Sequence, residues 1–75
     1  MAQLERFIIA GQPGILRPLL DILERDPETA VHSVARNAQS DPERLVVSLD
    51  PVRAAAMAAA LGSLIILEPD ELLDI

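Results

Sequence analysis

Asp50-Pro51 and Gly62 bracket Val52 to Leu61, and a short apolar run lies on each side: Leu45-Val46-Val47-Ser48-Leu49 before and Ser63-Leu64-Ile65-Ile66-Leu67 after. An acidic N-cap followed by proline at the first helical position is a strong helix start, because the proline lacks an N–H that would go unpaired there. Glycine ends such a helix cheaply, and the alanines between are the best helix formers. The spacing predicts a helix over Val52 to Leu61. The flanking runs, rich in β-branched residues, are too short for helices and read as strands in one sheet. Six alanines, at 54–56 and 58–60, leave little side-chain bulk, so this helix is expected to approach the sheet closely.

The first half repeats the order. Arg6-Phe7-Ile8-Ile9-Ala10 is a β-branched and aromatic run stopped by Gly11-Gln12-Pro13-Gly14, a strand entering a turn. Ile15, Leu16, Leu19, Leu20, Ile22 and Leu23 then recur at helical spacing, with Asp21 and Glu24 on the far side. Pro18 is expected within the first helical turn, where proline is tolerated, and Asp26-Pro27 ends the helix. Thr29 to Ala35 alternates as a second strand, and Arg36 to Glu43 forms a polar hairpin loop. The order strand, helix, strand, strand, helix, strand predicts an α+β ferredoxin-like sandwich: a four-stranded antiparallel sheet with both helices on one face. A chain of 75 residues leaves room for one such domain, closed by an acidic tail over 68–75.

Charge and composition narrow the function classes. Six arginines, no lysine and twelve acids give a net charge of −6, and Phe7 is the lone aromatic residue. Nucleic-acid binders neutralise phosphate with basic surface and stack bases on aromatic rings, so no nucleic-acid partner is expected. Cysteine is absent, which removes thiolate nucleophiles and cysteine-based zinc sites. Phe7 to Ala10 is too short for a secretory signal, and Ala54 to Leu61 is far short of a membrane helix. A soluble, cytoplasmic chain is expected, unless it is cut from a longer precursor.

The single histidine, His32, has Ser33 beside it, and alternation sends the two to opposite faces of the strand. It therefore reads as a half-exposed strand histidine, not a catalytic base or metal ligand. With no assembled nucleophile, base and oxyanion donor, neither an enzyme nor a cofactor or metal site is expected. Helices on one sheet face require alternation of apolar and polar residues along the strands. Phe7/Ile9 and Ile8/Ala10 break it, as do Leu64/Ile66 and Ile65/Leu67. An open face with such residues calls for a cover, supplied by a homodimer, by loops or by a dedicated protein partner.

From Leu45 to Leu73 the chain reads Leu-Val-Val-Ser-Leu-Asp-Pro-Val-Arg-Ala, then Ala-Leu-Gly-Ser-Leu-Ile-Ile-Leu-Glu-Pro-Asp-Glu-Leu-Leu. This resembles the second half of subtilisin propeptides and their free-standing inhibitor relatives. In that family a capped helix leads to a last strand followed by Glu-Pro-Asp or a close variant. The resemblance implies a protease inhibitor or folding chaperone acting on a subtilisin-class serine protease. The sheet face would dock on the enzyme, and Glu71, Leu72, Leu73, Asp74 and Ile75 would lie extended in its cleft. It also implies that Asp41 and Glu43 cap helix N-termini of the protease, where the helix dipole favours negative charge. The family's aromatic residues in the second and third strands are missing here. Ile75 departs from the residues usually presented to the primary pocket. A second likeness competes over the first third: Gly11-Gln12-Pro13-Gly14-Ile15-Leu16 is similar to the opening of ACT domains. That implies a regulatory module binding a small ligand, such as an amino acid, at Gly11, Pro13, Gly14 and Ile15, or dimerising.

Overall fold

The computed structural model describes residues 3–70. Strand β1 (Glu5–Gly11) leads into helix α1 (Pro13–Arg25), followed by β2 (Ala30–Arg36) and β3 (Pro42–Leu49). Helix α2 (Pro51–Leu61) then passes through one 3-10 turn, Gly62–Leu64, into β4 (Ile65–Pro69). The four strands form one sheet in the order β2-β3-β1-β4, with every neighbouring pair antiparallel. This is the ferredoxin-like α+β arrangement anticipated above.

Alternation along the strands sets the core. Phe7 and Ile9 of β1, Leu45, Val47 and Leu49 of β3, and Ile65 of β4 are buried on the helix side. They meet Leu16, Leu19, Leu20 and Leu23, the apolar stripe of α1. Helix α2 contributes less than its composition suggests. Ala54 is buried and Met57, Ala58 and Leu61 are half-buried, whereas Ala55, Ala56, Ala59 and Ala60 face solvent. One residue turns about 100° around the axis, so only the 54, 57/58, 61 stripe reaches the sheet. Of the six alanines, two lie on that stripe, Ala54 buried and Ala58 half-buried.

The helix ends carry the anticipated chemistry, with two differences. Asp50 caps α2, its carboxylate accepting from the Val52 N–H at 2.8 Å, a contact type that stabilises by about 1 kcal/mol. Helix α1 begins at Pro13, so Pro18 lies in its second turn, not the first. The hydrogen bond that position 18 would donate to the Gly14 carbonyl is missing, and Gly14 is exposed, so water reaches that carbonyl. The last strand also shifts. Ser63 and Leu64 belong to the 3-10 turn, and pairing continues instead through Glu68 and Pro69. Gly62 adopts φ +53° and ψ −126°, which reverses the chain before β4 begins.

The β2–β3 hairpin is tighter than the polar stretch 36–43 suggested. Arg36 closes β2 and Pro42 opens β3, leaving 37–41 as the bend. Asn37 organises it, its side-chain carbonyl accepting from the N–H groups of Gln39 at 2.9 Å and Asp41 at 3.0 Å. Ser40 takes a left-handed φ of 65° inside this bend.

Candidate functional site

The face of the sheet opposite the helices is uncovered by any described element, and strand pairing gives its layout. Across the sheet from β2 to β4 one row reads Ser33, Val46, Ile8 and Glu68, and the next reads Ala35, Arg44, Ala10 and Ile66. On the other side of the first row lie Ala30, Ser48 and Arg6. Ile8 and Val46 are half-buried and Ile66 is 61% exposed. The expected apolar open face is present, but in a narrower form. An apolar cluster of Ile8, Ala10, Val46 and Ile66 is framed by arginine, glutamate and serine, and Leu64 has left the sheet. Ile8, Ala10, Arg44, Ile66 and Glu68 line a shallow depression of about 390 Å³ in this face.

Asp70 follows β4 directly and is fixed twice to Arg6. Its N–H donates to the Arg6 carbonyl at 2.8 Å, and its carboxylate lies 3.1 Å from the Arg6 Nε. Asp70, the last described residue, is therefore tied to β1 at the rim of the open face. Glu71, Leu72, Leu73, Asp74 and Ile75, the residues assigned above to a protease cleft, lie outside the described residues.

Asp41 and Glu43 sit at the hairpin end of the sheet and differ in availability. Asp41 is paired with Arg17 of α1, which ties the hairpin to the helix. Glu43 is exposed on β3 and takes no side-chain partner among the described residues. A depression of about 590 Å³ opens beside this ion pair, lined in part by Arg17, Asp21, Glu24 and Arg36.

The Gly11–Ile15 turn borders a cavity of about 310 Å³ lined with Gln12, Ser63, Leu64 and Ile66. Its donors are fewer than a free helix start would offer. The N–H groups of Ile15 and Leu16 both donate to the Gln12 carbonyl at 2.9 Å, and Pro13 has none. The N–H groups of Gln12 and Gly14 are left in that turn without a backbone partner among the described residues.

His32 has a partner that alternation did not reveal. A register shift between Val31 and Ser33 makes His32 the extra residue of a bulge, so Ser33 pairs with Val46 on the open face. The His32 Nε2 lies 2.7 Å from the Ser48 Oγ, and His32 is exposed. Two residues expected on opposite faces thus share one side. Among the described residues no carboxylate bonds the other ring nitrogen of His32. The pair therefore links β2 to β3 without the third group of a nucleophilic triad.

Among the described residues, no cluster of three or more His, Cys, Asp or Glu side chains is arranged to hold a metal ion, and no helix is long and apolar enough to cross a membrane. Together, fold and open face define a ferredoxin-like α+β domain with one uncovered sheet surface. Comparison of the chain with protein-family models, with curated proteins and with solved structures returns no match.

Proposed function

We propose that this chain binds another protein through its open sheet face, as a propeptide-like inhibitor or folding chaperone of a subtilisin-class serine protease. The observation that carries the reading is the apolar cluster of Ile8, Val46 and Ile66 on a face that no described element covers. Such a cluster inside a polar frame has the composition of a binding surface: an apolar centre and a charged rim. The Arg6–Asp70 clamp supports the second half of the mechanism. A segment launched from a fixed point beside the docked face reaches the enzyme cleft at high effective concentration. There, 71–75 would add to the protease as an extended strand, with Leu72, Leu73 and Ile75 as side-chain anchors. Glu43 is better placed than Asp41 to approach a helix N-terminus, since Arg17 already holds the Asp41 carboxylate. The test is inhibition of a subtilisin-class protease by the intact chain and by a chain lacking 72–75. Strong loss on truncation with an unchanged fold supports the reading, and digestion of the intact chain without inhibition ends it.

The cavity beside Gly11 and Ile15 favours one alternative, an ACT-like module that binds an amino acid. Titration with the twenty amino acids would then shift the amide signals of Gly11, Gly14 and Ile15. No shift at those residues removes it.

A further inference from the structure

Arg44 stands apart from the other arginines. Arg6, Arg17, Arg25 and Arg53 are each paired with an aspartate, and Arg36 donates to the Ser40 carbonyl. Arg44 has no such partner among the described residues, and it projects from β3 on the open face, opposite Ala10. Glu68 lies on the same face two strands away and one row along, opposite Ile8. Strand and residue spacings put the two positions on the order of 12 Å apart, and no ion pair joins them within the chain. Ile8, Ala10 and Ile66 lie between and beside them, in the same depression.

We infer that the open face pairs with the same face of a second copy of this chain. A two-fold axis lying between two stacked sheets, across the midpoint of the Arg44-to-Glu68 line, sets each Arg44 against the partner copy's Glu68. The same rotation lays the cluster of Ile8, Ala10 and Ile66 upon itself. A surface with one cation and one anion on either side of an apolar centre is complementary to its own rotated image, which is the requirement for a two-fold interface. Local charge on the face is balanced, with Arg6 and Arg44 against Glu68 and Asp70, although the whole chain carries −6. A face four strands wide and about five residues long covers roughly 350 Å². That is below the ~800 Å² per partner of a stable complex, so the dimer is weak and concentration-dependent.

This pairing stands on strand register and does not rest on the inhibitor reading. It would compete with protease docking, since both use the same face. Sedimentation velocity of the intact chain from about 10 µM to 1 mM covers the range expected for such a small interface. The wild type should shift toward a dimer with concentration. Arg44→Glu and Glu68→Arg should each weaken association at least about tenfold, because two like-charge contacts replace two favourable ones. Both positions are exposed, and circular dichroism checks that each variant keeps its fold. An equimolar mixture of the two variants should recover the dimer, because opposite charges then face each other across the interface. A wild type that stays monomeric, variants that associate like the wild type, or a mixture no better than its components would each overturn the pairing. A strict monomer that still inhibits a protease would overturn it and leave the inhibitor reading standing.

Discussion

Asp70 is bound to Arg6 through both backbone and side chain, N–H to carbonyl at 2.8 Å and carboxylate to Nε at 3.1 Å. The backbone bond extends the β1–β4 ladder past Pro69, which has no N–H to contribute. The ion pair then holds the Asp70 side chain against Arg6 of β1. Arg6 is 44% exposed, so the pair is solvent-screened and contributes at most about 1 kcal/mol to stability. Its proposed role is to hold the start of the segment beyond the sheet. Asp70→Ala should therefore lower the unfolding free energy by less than about 1 kcal/mol, while weakening protease inhibition by roughly tenfold. Urea denaturation and an inhibition assay on one preparation separate the two effects. Equal small losses in both would mean that the clamp has no functional part.

Asp26 links the end of α1 to the start of α2. Its carboxylate accepts from the Glu28 N–H at 3.0 Å and the Thr29 hydroxyl at 2.7 Å, and it pairs with Arg53 of α2. The Glu28 N–H does most to hold its pKa below the usual carboxylate value, followed by the Thr29 hydroxyl; burial opposes them, and Arg53 adds a lesser lowering effect. A depressed folded-state pKa contributes stability that is present above the unfolded value and is lost as pH falls through the folded one. The loss therefore begins near pH 4 and grows in more acidic solution. Asp26→Asn should flatten this acid limb, measured as unfolding midpoints between about pH 5 and pH 2.5. A variant with the same acid limb as the wild type would remove Asp26 from that account.

Two residues with positive φ give opposite expectations. Gly62 adopts φ +53° with nothing within 4 Å of an added methyl, so backbone strain alone resists a side chain there. Gly62→Ala should destabilise by about 1–3 kcal/mol, because φ +53° with ψ −126° is a region that L residues rarely adopt. Ser40, an L residue, already carries a left-handed φ of 65° and its strain in the hairpin bend. Ser40→Gly relieves it but adds freedom to the unfolded chain, for a net gain of a few tenths of a kcal/mol. Thermal melts of the two variants read both signs directly. A Gly62→Ala protein as stable as the wild type would contradict the strain argument.

What was legible in the sequence follows from where the signals are local. Asp50-Pro51, Gly62 and Asp26-Pro27 act through neighbouring backbone groups, so helix limits could be read from them. Short β-branched runs marked the strands that carry Phe7, Ile9, Leu45 and Val47, but with apolar residues on both faces of β1 they did not say which face is buried. The features missed depend on pairing between distant segments. The bulge at His32 exists because β2 meets β3 out of step, and nothing within Thr29 to Ala35 announces it. Likewise Leu64 and Glu68 exchanged roles because Gly62 turns the chain through a 3-10 segment before β4 can pair with β1. Of the proposed site, the open face was foreseeable from one-sided helices. Arg44, Glu68 and the Arg6–Asp70 clamp required the register.

Inhibition of a subtilisin-class protease by three forms of the chain tests the central claim most directly: the wild type, Ile66→Arg and Ile22→Arg. Both isoleucines are exposed, at 61% and 63%, so neither substitution disturbs the core. Ile66 lies on the open sheet face and Ile22 on the outer surface of α1. The wild type and Ile22→Arg should inhibit equally, and Ile66→Arg should be weaker by at least about tenfold, as expected for a desolvated apolar contact replaced by charge. Equal inhibition by all three, or digestion of the wild type without inhibition, would contradict it.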